Sequence, residues 1–149
     1  MSIIEKAKAF AIQAHGGQKY GKMPYEYHLQ QVVSKLILWR DYNSFKITDE
    51  MIAAAWLHDV LEDTPTTHSR LYQEFGDEIT TTCHLLSKGN HVPYDYDYNK
   101  YIKNIKLDHS AKMVKIADTL SNLEASLLSG EMRRVNKYAK QLTLLSECL

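Results

Sequence analysis

The chain has 149 residues, and its 18 lysines and arginines are balanced by 18 aspartates and glutamates, which argues against a nucleic-acid-binding protein that depends on a basic surface. Its length predicts one domain, spanning residues 1–149. The two cysteines, Cys83 and Cys148, lack metal-ligand spacing and favour a reducing cytoplasm, while no apolar run approaches the roughly 20 residues of a membrane span.

Helical periodicity dominates the first half of the chain. Ser2 and Glu5 form a capping box at the start of the first predicted helix, and a glycine pair should end it. A loop containing a glycine and a proline should precede the second helix, and a further proline should end the third. In order, these helices are expected from Ser2 to Gly16, around Leu29–Ile37, and from Thr48 to Thr64.

The second half predicts shorter helices joined by turns. Gly76 should close one helix, Asp77 can cap the next, and Ser110 is the expected cap of the helix that contains Asp118. The expected segments are Leu71–Phe75, Glu78–Leu86, a polar loop over 87–97, Tyr98–Leu107, the helix after Ser110, and Glu131–Glu147. Because strand alternation is rare, the chain is predicted to be all-α, a bundle of roughly seven to nine helices.

The run AWLHDVLEDT (55–64) is the first indication of chemistry. In a continuous helix, His58 shares a face with Glu62, and Asp59 shares a face with Asp63. These polar residues directly follow the most apolar run of the chain, and buried polar groups need partners, which a cation would supply. A His-Asp pair alone is weak evidence for a metal site, because a helix end with solvated carboxylates shows the same pair more often.

Two further segments suggest the same chemistry. Asp118 lies in the apolar helical stretch VKIADTLSNL, and Lys115 and Asn122 fall on the same helical face. His28 opens the second predicted helix. The alternative interpretations are a buried carboxylate satisfied by local donors for Asp118 and a cap or core histidine for His28.

Two imidazoles and two carboxylates from three helices suit a divalent transition ion with open positions for water. These ligands are His28, His58, Asp59 and Asp118. Nitrogen and oxygen ligands without thiolate favour Mn, Fe or Co over a closed structural zinc site. Such an ion lowers the pKa of a bound water toward about 7 and polarises a phosphoryl oxygen.

Three ordered motifs carry a resemblance to a known family: AHGGQKYGKMPYEYH (14–28), LHDVLEDT (57–64) and KIADTLSNL (115–123). They resemble those of HD-domain metal phosphohydrolases, and within that superfamily the (p)ppGpp hydrolase domain of RelA/SpoT-type proteins and the small alarmone hydrolases. Generic HD phosphohydrolases keep the His-Asp pair without the Glu-Asp pair that follows it here. The resemblance implies the HD-domain helical bundle, and because 149 residues leave no room for a synthetase domain, a hydrolase-only enzyme is expected.

The resemblance also implies roles for the polar residues. The four ligands would bind one Mn ion, and Glu62 and Asp63 would orient or deprotonate the attacking water and assist the leaving group. Asn122 would help hold the sugar of the substrate or the polar network of the site. The implied reaction is hydrolysis of the 3′-pyrophosphate of ppGpp or pppGpp, releasing pyrophosphate and GDP or GTP.

The implied partner is therefore a small, highly anionic nucleotide rather than a nucleic acid or a membrane. Cationic and aromatic side chains should bind it, and Lys19 is the best placed by resemblance. The candidates are Lys19, Tyr20, Lys22, Lys88, Lys115, Arg134 and Tyr138. Each lysine is also consistent with a solvated surface residue. Tyrosines 94, 96, 98 and 101 are expected to pack the loop rather than stack on a base.

The chain departs from the family pattern at positions that contact nucleotide. Lys19 and Tyr20 follow Gln18 where the family commonly has an arginine, and the segment TLSNLEAS after Asp118 lacks two arginines that longer members favour. These departures keep open an HD phosphohydrolase of another nucleotide, such as NADPH or a 3′-phosphorylated adenine nucleotide. A non-catalytic helical module that binds nucleotide or protein is the third alternative.

Overall fold

The computed structural model describes residues 1–88 and 97–147, and these form eight helical segments and one very short hairpin. The helices are α1 (Ile3–His15), α2 (Tyr25–Asp41), α3 (Asp49–Leu57), α4 (Val60–Asp63), α5 (His68–Leu86), α6 (Tyr98–Lys106), α7 (His109–Ser129) and α8 (Met132–Ser146). The two-residue strands β1 (Lys19–Tyr20) and β2 (Met23–Pro24) pair antiparallel between α1 and α2. The predicted all-α class is confirmed. Tyr94, Tyr96 and Cys148 lie outside the described residues.

The helix caps agree with those predicted from the sequence, with one exception. The capping box at α1 forms, because the N–H of Glu5 donates to Ser2 Oγ and the N–H of Ser2 donates to the Glu5 carboxylate. The expected Ser110 cap of α7 is wrong. Asp108 caps this helix instead, since its carboxylate accepts a hydrogen bond of 2.8 Å from the N–H of Ala111.

Helix α3 lies at the centre of the hydrophobic core. All residues from Met51 to Leu57 are buried, and the helix packs against α1, α2, α5 and α7. Such complete burial explains why the run lacks amphipathic periodicity. Because α3 is packed on all these helices, the core holds His58, the residue after Leu57, at a fixed position.

No helix in the described part of the chain combines the length and apolar character needed to cross a bilayer.

The helix expected from Thr48 to Thr64 is divided in two. Helix α3 ends at Leu57 and α4 begins at Val60, because the backbone of Asp59 departs from helical geometry with φ −105° and ψ 0°. The hydrogen bond from the N–H of Asp63 to the carbonyl of Asp59 restarts the helical turn. In an unbroken helix, neighbouring side chains point about 100° apart, so this break changes the directions available to His58 and Asp59.

Helix α5 bends sharply at Gly76, where the sequence predicts a boundary between two helices. The φ of Gly76 is 79° and its ψ is −177°, a conformation open essentially to glycine alone. The rings of His68 and His84, on opposite sides of Gly76, lie 5.5 Å apart between centroids. The two arms of α5 therefore turn back toward each other.

Substituting Gly76 with alanine should lower the free energy of unfolding by about 1–3 kcal/mol, because a Cβ strains this backbone conformation. Gly17→Ala is the matched control. Both glycines have open space for a Cβ, but only Gly76 has a positive φ. Thermal unfolding of the two variants measures the difference, and equal melting temperatures would contradict the assigned strain.

Candidate metal centre

The four predicted ligands converge on one point. One ligand atom from each of His28, His58, Asp59 and Asp118 lies within 4.8 Å of all the others. The Nε2 atom of His28 is 3.0 Å from Asp118 Oδ1, and Nε2 of His58 is 3.0 Å from Asp59 Oδ2. These residues come from α2, the α3–α4 junction and α7, whose mutual packing forms the site.

The orientation of His58 fits a metal ligand. Its Nδ1–H donates to the carbonyl of Ala55 over 2.7 Å, which leaves Nε2 to face the two carboxylates. This buried Nε2 lies close to both carboxylates, but it forms no well-aligned hydrogen bond with any of the described residues. Metal-binding histidines typically use one nitrogen in this way to fix the ring while the other binds the ion. The N₂O₂ donor set therefore fits a divalent cation.

The charges in the cluster favour the binding of a cation. Burial lowers the pKa of His58, but the carboxylates of Asp59 and Asp118 outweigh it and raise that pKa well above its usual value. Burial raises the pKa of Asp59, but His58 outweighs this and brings it to about 2. The pKa of Asp118 is held well below its usual value by Lys115 and the two histidines, against the effect of burial. Both carboxylates thus stay ionised and available to a cation.

Hydrogen bonds fix both carboxylates. The hydroxyl of Tyr25 donates to Asp59 Oδ2 over 2.6 Å, and burial raises the pKa of this tyrosine so that it remains a donor. The Asn122 amide donates to Asp118 Oδ1, and Lys115 Nζ lies 3.1 Å from Asp118 Oδ2. These contacts orient the oxygen atoms of the donor set before any ion binds.

The same network continues to the hairpin. The hydroxyl of Tyr20 donates to Asn122 Oδ1 over 2.6 Å, and its ring stacks on His28 with centroids 4.5 Å apart. Burial and the charge of Asp118 raise the pKa of Tyr20 to about 12. Asn122 therefore belongs to the polar network around the ligands, which is one of the two roles expected for it.

Replacing Tyr25 with phenylalanine should weaken Mn²⁺ binding about 10–100-fold, because it removes the hydrogen bond that orients Asp59. Titration of the purified protein with Mn²⁺ measures the dissociation constant. Tyr72→Phe, on the exposed face of α5, is the control and should bind as the wild type does. If Tyr25→Phe also binds like the wild type, this hydroxyl has no part in metal affinity.

Glu62 and Asp63 lie beside the ligand cluster and line the same cavity. Glu62 is half-buried, and its carboxylate accepts a hydrogen bond of 3.0 Å from the backbone N–H of Lys88. Burial raises the pKa of Glu62. Asp63 is exposed, and its Oδ2 accepts a hydrogen bond of 3.2 Å from the amide of Gln18. The two carboxylates thus sit in different environments, and burial of Glu62 favours its protonated form.

A polar cavity of about 240 Å³ opens over the cluster. Five of the seven predicted substrate-binding residues line it, namely Tyr20, Lys88, Lys115, Arg134 and Tyr138. Lys19 and Lys22 do not line it, and both are exposed. The reason is strand alternation, which turns Lys19 outward when Tyr20 faces the cavity, while Lys22 lies in the turn. The expectation that Lys19 is the best placed cation is corrected accordingly.

Besides Tyr25, three residues near the site were not among the candidates chosen from the sequence. Lys137 and Gln141 line the cavity, and Gln18 holds Asp63. Lys137 could have been found, since it lies on α8 between two candidates, and Gln18 lies inside the first motif. Gln141 gives no sequence signal, because its buried amide is bonded to Thr119 and Tyr98 by tertiary packing alone.

Comparison with known proteins supports the resemblance drawn from the motifs, although no protein-family model matches the chain. It is 31% identical over 143 residues to a guanosine-3′,5′-bis(diphosphate) 3′-pyrophosphohydrolase of Aquifex aeolicus, covering 93% of this chain and 20% of that protein. It is 29% identical over 142 residues to a protein of the same description from Haemophilus influenzae, covering 89% of this chain and 20% of that protein. The chain thus spans about a fifth of the length of these relatives.

Other relatives and a solved structure agree. The chain is 29% identical over 142 residues to the GTP pyrophosphokinase rsh of Brucella ovis, covering 90% of this chain and 18% of that protein. A solved structure described as a metazoan ortholog of SpoT that hydrolyses ppGpp matches with a TM-score of 0.78 and 22% identity, covering 98% of this chain and 86% of that one. The expected HD-domain fold is confirmed.

Proposed function

We propose that this chain, whose motifs, alignment and fold are similar to those of RelA/SpoT-type (p)ppGpp hydrolases, hydrolyses the 3′-pyrophosphate of ppGpp or pppGpp. The products would be pyrophosphate and GDP or GTP. The observation that carries the proposal is the convergence of the His28, His58, Asp59 and Asp118 cluster with Glu62 and Asp63 in one cavity. A module that only binds nucleotide would not need the carboxylates of Glu62 and Asp63.

The proposed cofactor is one Mn²⁺, with Fe or Co as the alternatives that the same donor set accepts. His28, His58, Asp59 and Asp118 would hold it. When bound, the ion supplies Lewis acidity toward a phosphoryl oxygen and lowers the pKa of water. Ligation requires neutral imidazole, so binding would displace the proton that His58 otherwise holds between the carboxylates.

The two remaining carboxylates divide the proton transfers. Asp63 accepts a proton from the attacking water, whose oxygen bonds to the phosphorus attached to O3′ of the ribose. The P–O3′ bond breaks, and Glu62 donates the proton that O3′ requires. Glu62 suits the donor role because burial raises its pKa, and Asp63 suits the acceptor role because it is exposed and held by Gln18.

The cavity wall provides the positive charge that the substrate needs. Lys88 and Lys115 are half-buried, whereas Arg134 and Lys137 lie on the exposed face of α8. Burial and the neighbouring charge of Lys115 lower the pKa of Lys88, so an anion between the two lysines would relieve their repulsion. This crowding of cations favours a substrate with several phosphoryl charges.

One observation keeps a second substrate open. Lys19 and Tyr20 stand where the resembling proteins commonly carry an arginine. Lys19 does not line the cavity, and Tyr20 is bonded to Asn122 and stacked on His28, so this segment offers the cavity no cation. An HD phosphohydrolase of another nucleotide, such as NADPH, is the alternative that this position supports.

Incubation of the purified chain with ppGpp tests the proposal. We expect release of pyrophosphate together with GDP, loss of activity in EDTA, and recovery on addition of Mn²⁺. A parallel reaction with NADPH serves as the comparison. Release of orthophosphate from NADPH without turnover of ppGpp would support the other nucleotide, and no turnover of either would leave only a binding function.

A further inference from the structure

We propose that His15 is a positioning residue that holds two carboxylates of the site through two separate contacts. It orients Gln18, which donates to Asp63, and it supports Tyr25, which donates to Asp59. His15 is buried and does not line the cavity itself. The inference rests on the proposed function, because it assigns Asp59 to the metal and Asp63 to the proton transfer.

The first contact fixes the side-chain amide of Gln18. Nδ1 of His15 lies 2.8 Å from Gln18 Oε1, and an amide oxygen can only accept, so Nδ1 carries the hydrogen. The amide nitrogen of Gln18 then points to Asp63 Oδ2 over 3.2 Å. A rotated amide would place nitrogen against the N–H of His15 and oxygen against the carboxylate. The carboxylate of Asp63 can only accept, and the Nδ1–H of His15 satisfies the amide oxygen on the other side, so His15 stabilises the orientation that donates to Asp63.

The second contact supports Tyr25. The rings of His15 and Tyr25 stack with centroids 4.5 Å apart and an interplanar angle of 29°. The hydroxyl at the far end of Tyr25 donates to Asp59 Oδ2. The backbone joins both contacts, because the N–H of Tyr25 donates to the carbonyl of Gln18. A displaced His15 ring would thus move the donor of a metal ligand.

Packing alone does not explain a histidine at this position. Nε2 of His15 is buried and has no hydrogen-bond partner among the described residues, which costs free energy that an apolar ring would not. A phenylalanine could fill the same space and keep the stacking on Tyr25. The Nδ1–H is what only histidine adds here, and its acceptor is the amide that holds Asp63.

Two substitutions separate the two contacts. His15→Phe keeps a ring against Tyr25 and removes the N–H, so kcat for ppGpp at saturating Mn²⁺ should fall at least about tenfold while the Mn²⁺ dissociation constant changes less than about threefold. The amide nitrogen of asparagine is two bonds from Cβ, as Nδ1 of histidine is. His15→Asn therefore keeps the donor and removes the ring. It should weaken Mn²⁺ binding about tenfold and lower kcat less than His15→Phe does.

Gln18→Met gives the same test without altering the buried ring. It should reproduce the loss of kcat in His15→Phe and leave Mn²⁺ binding close to that of the wild type. Ile79→Val, in the core of α5, is the control for simple destabilisation. If both His15 variants change kcat and Mn²⁺ affinity together, as a loss of stability would, His15 is only structural and the inference is wrong.

The Mn²⁺ titration separates this inference from the proposed function. It needs no substrate, so an effect of His15→Asn on Mn²⁺ affinity supports the contact through Tyr25 whatever nucleotide the protein hydrolyses. If the wild type fails to hydrolyse ppGpp, the proposed substrate is wrong. If in addition His15→Asn binds Mn²⁺ like the wild type, the contact through Tyr25 is wrong as well.

Discussion

Replacing Asp63 with alanine should abolish turnover of ppGpp while leaving the fold and Mn²⁺ binding in place. Asp63 is exposed and lies outside the ligand cluster, so its removal neither opens the core nor takes a ligand from the ion. Loss of a general base typically costs about 10²–10⁴-fold in rate. Measurement of kcat at saturating Mn²⁺, together with the Mn²⁺ dissociation constant and the melting temperature, tests all three parts.

Glu78→Ala is the control for loss of an exposed carboxylate, since Glu78 lies on α5 and does not line the cavity. It should keep wild-type kcat. Unchanged turnover in Asp63→Ala would remove this residue from the mechanism. A parallel loss of Mn²⁺ affinity would instead make it part of the ion site.

Replacing Asp59 with asparagine should remove Mn²⁺ affinity and turnover together. The side chain keeps its shape but loses the charge that Tyr25 orients and that His58 faces. Disturbing a residue that only supports a ligand costs 10–100-fold in affinity, so losing a ligand should cost more than about 100-fold. Mn²⁺ titration of the variant measures this effect directly.

The same substitution should also abolish stabilisation by the ion. Mn²⁺ at 100 times its dissociation constant stabilises a folded protein by about 2.7 kcal/mol, and a loss of affinity of more than about 100-fold should leave Asp59→Asn with less than about 0.4 kcal/mol at the same concentration. Thermal unfolding with and without Mn²⁺ gives the comparison, with Asp41→Asn at the exposed end of α2 as the control. A normal rise in melting temperature for Asp59→Asn would exclude this carboxylate as a ligand.

The sequence predicts the helices well because local chemistry determines their ends. The capping box of Ser2 and Glu5 and the glycine boundary at Gly76 both depend on neighbours only. The break at His58–Asp59 could not be predicted, since no glycine or proline interrupts the helical pattern from Met51 to Asp63. That break is a tertiary effect, in which packing overrides the propensity to continue one helix.

The motifs predict which residues meet in the cluster, but not the contacts that support them. Residue type and order single out His28, His58, Asp59 and Asp118, and the fold brings these four together. The contacts of Tyr25 with Asp59 and of Gln18 with Asp63 join residues 34 and 45 positions apart in the chain, which periodicity does not report. The position of Lys19 outside the cavity could not be predicted for a related reason. A two-residue strand is too short for the sequence to reveal which of its side chains faces the cavity.

The central position of α3 also affects how this protein can change during evolution. Every residue from Met51 to Leu57 is enclosed on all sides, and His58 follows without an intervening loop. A larger side chain at Ala54 would force α3 or the helices packed on it to shift. Because His58 follows α3 directly, such a shift would also disturb the cluster, so substitutions in this segment should be tolerated less than those elsewhere in the core.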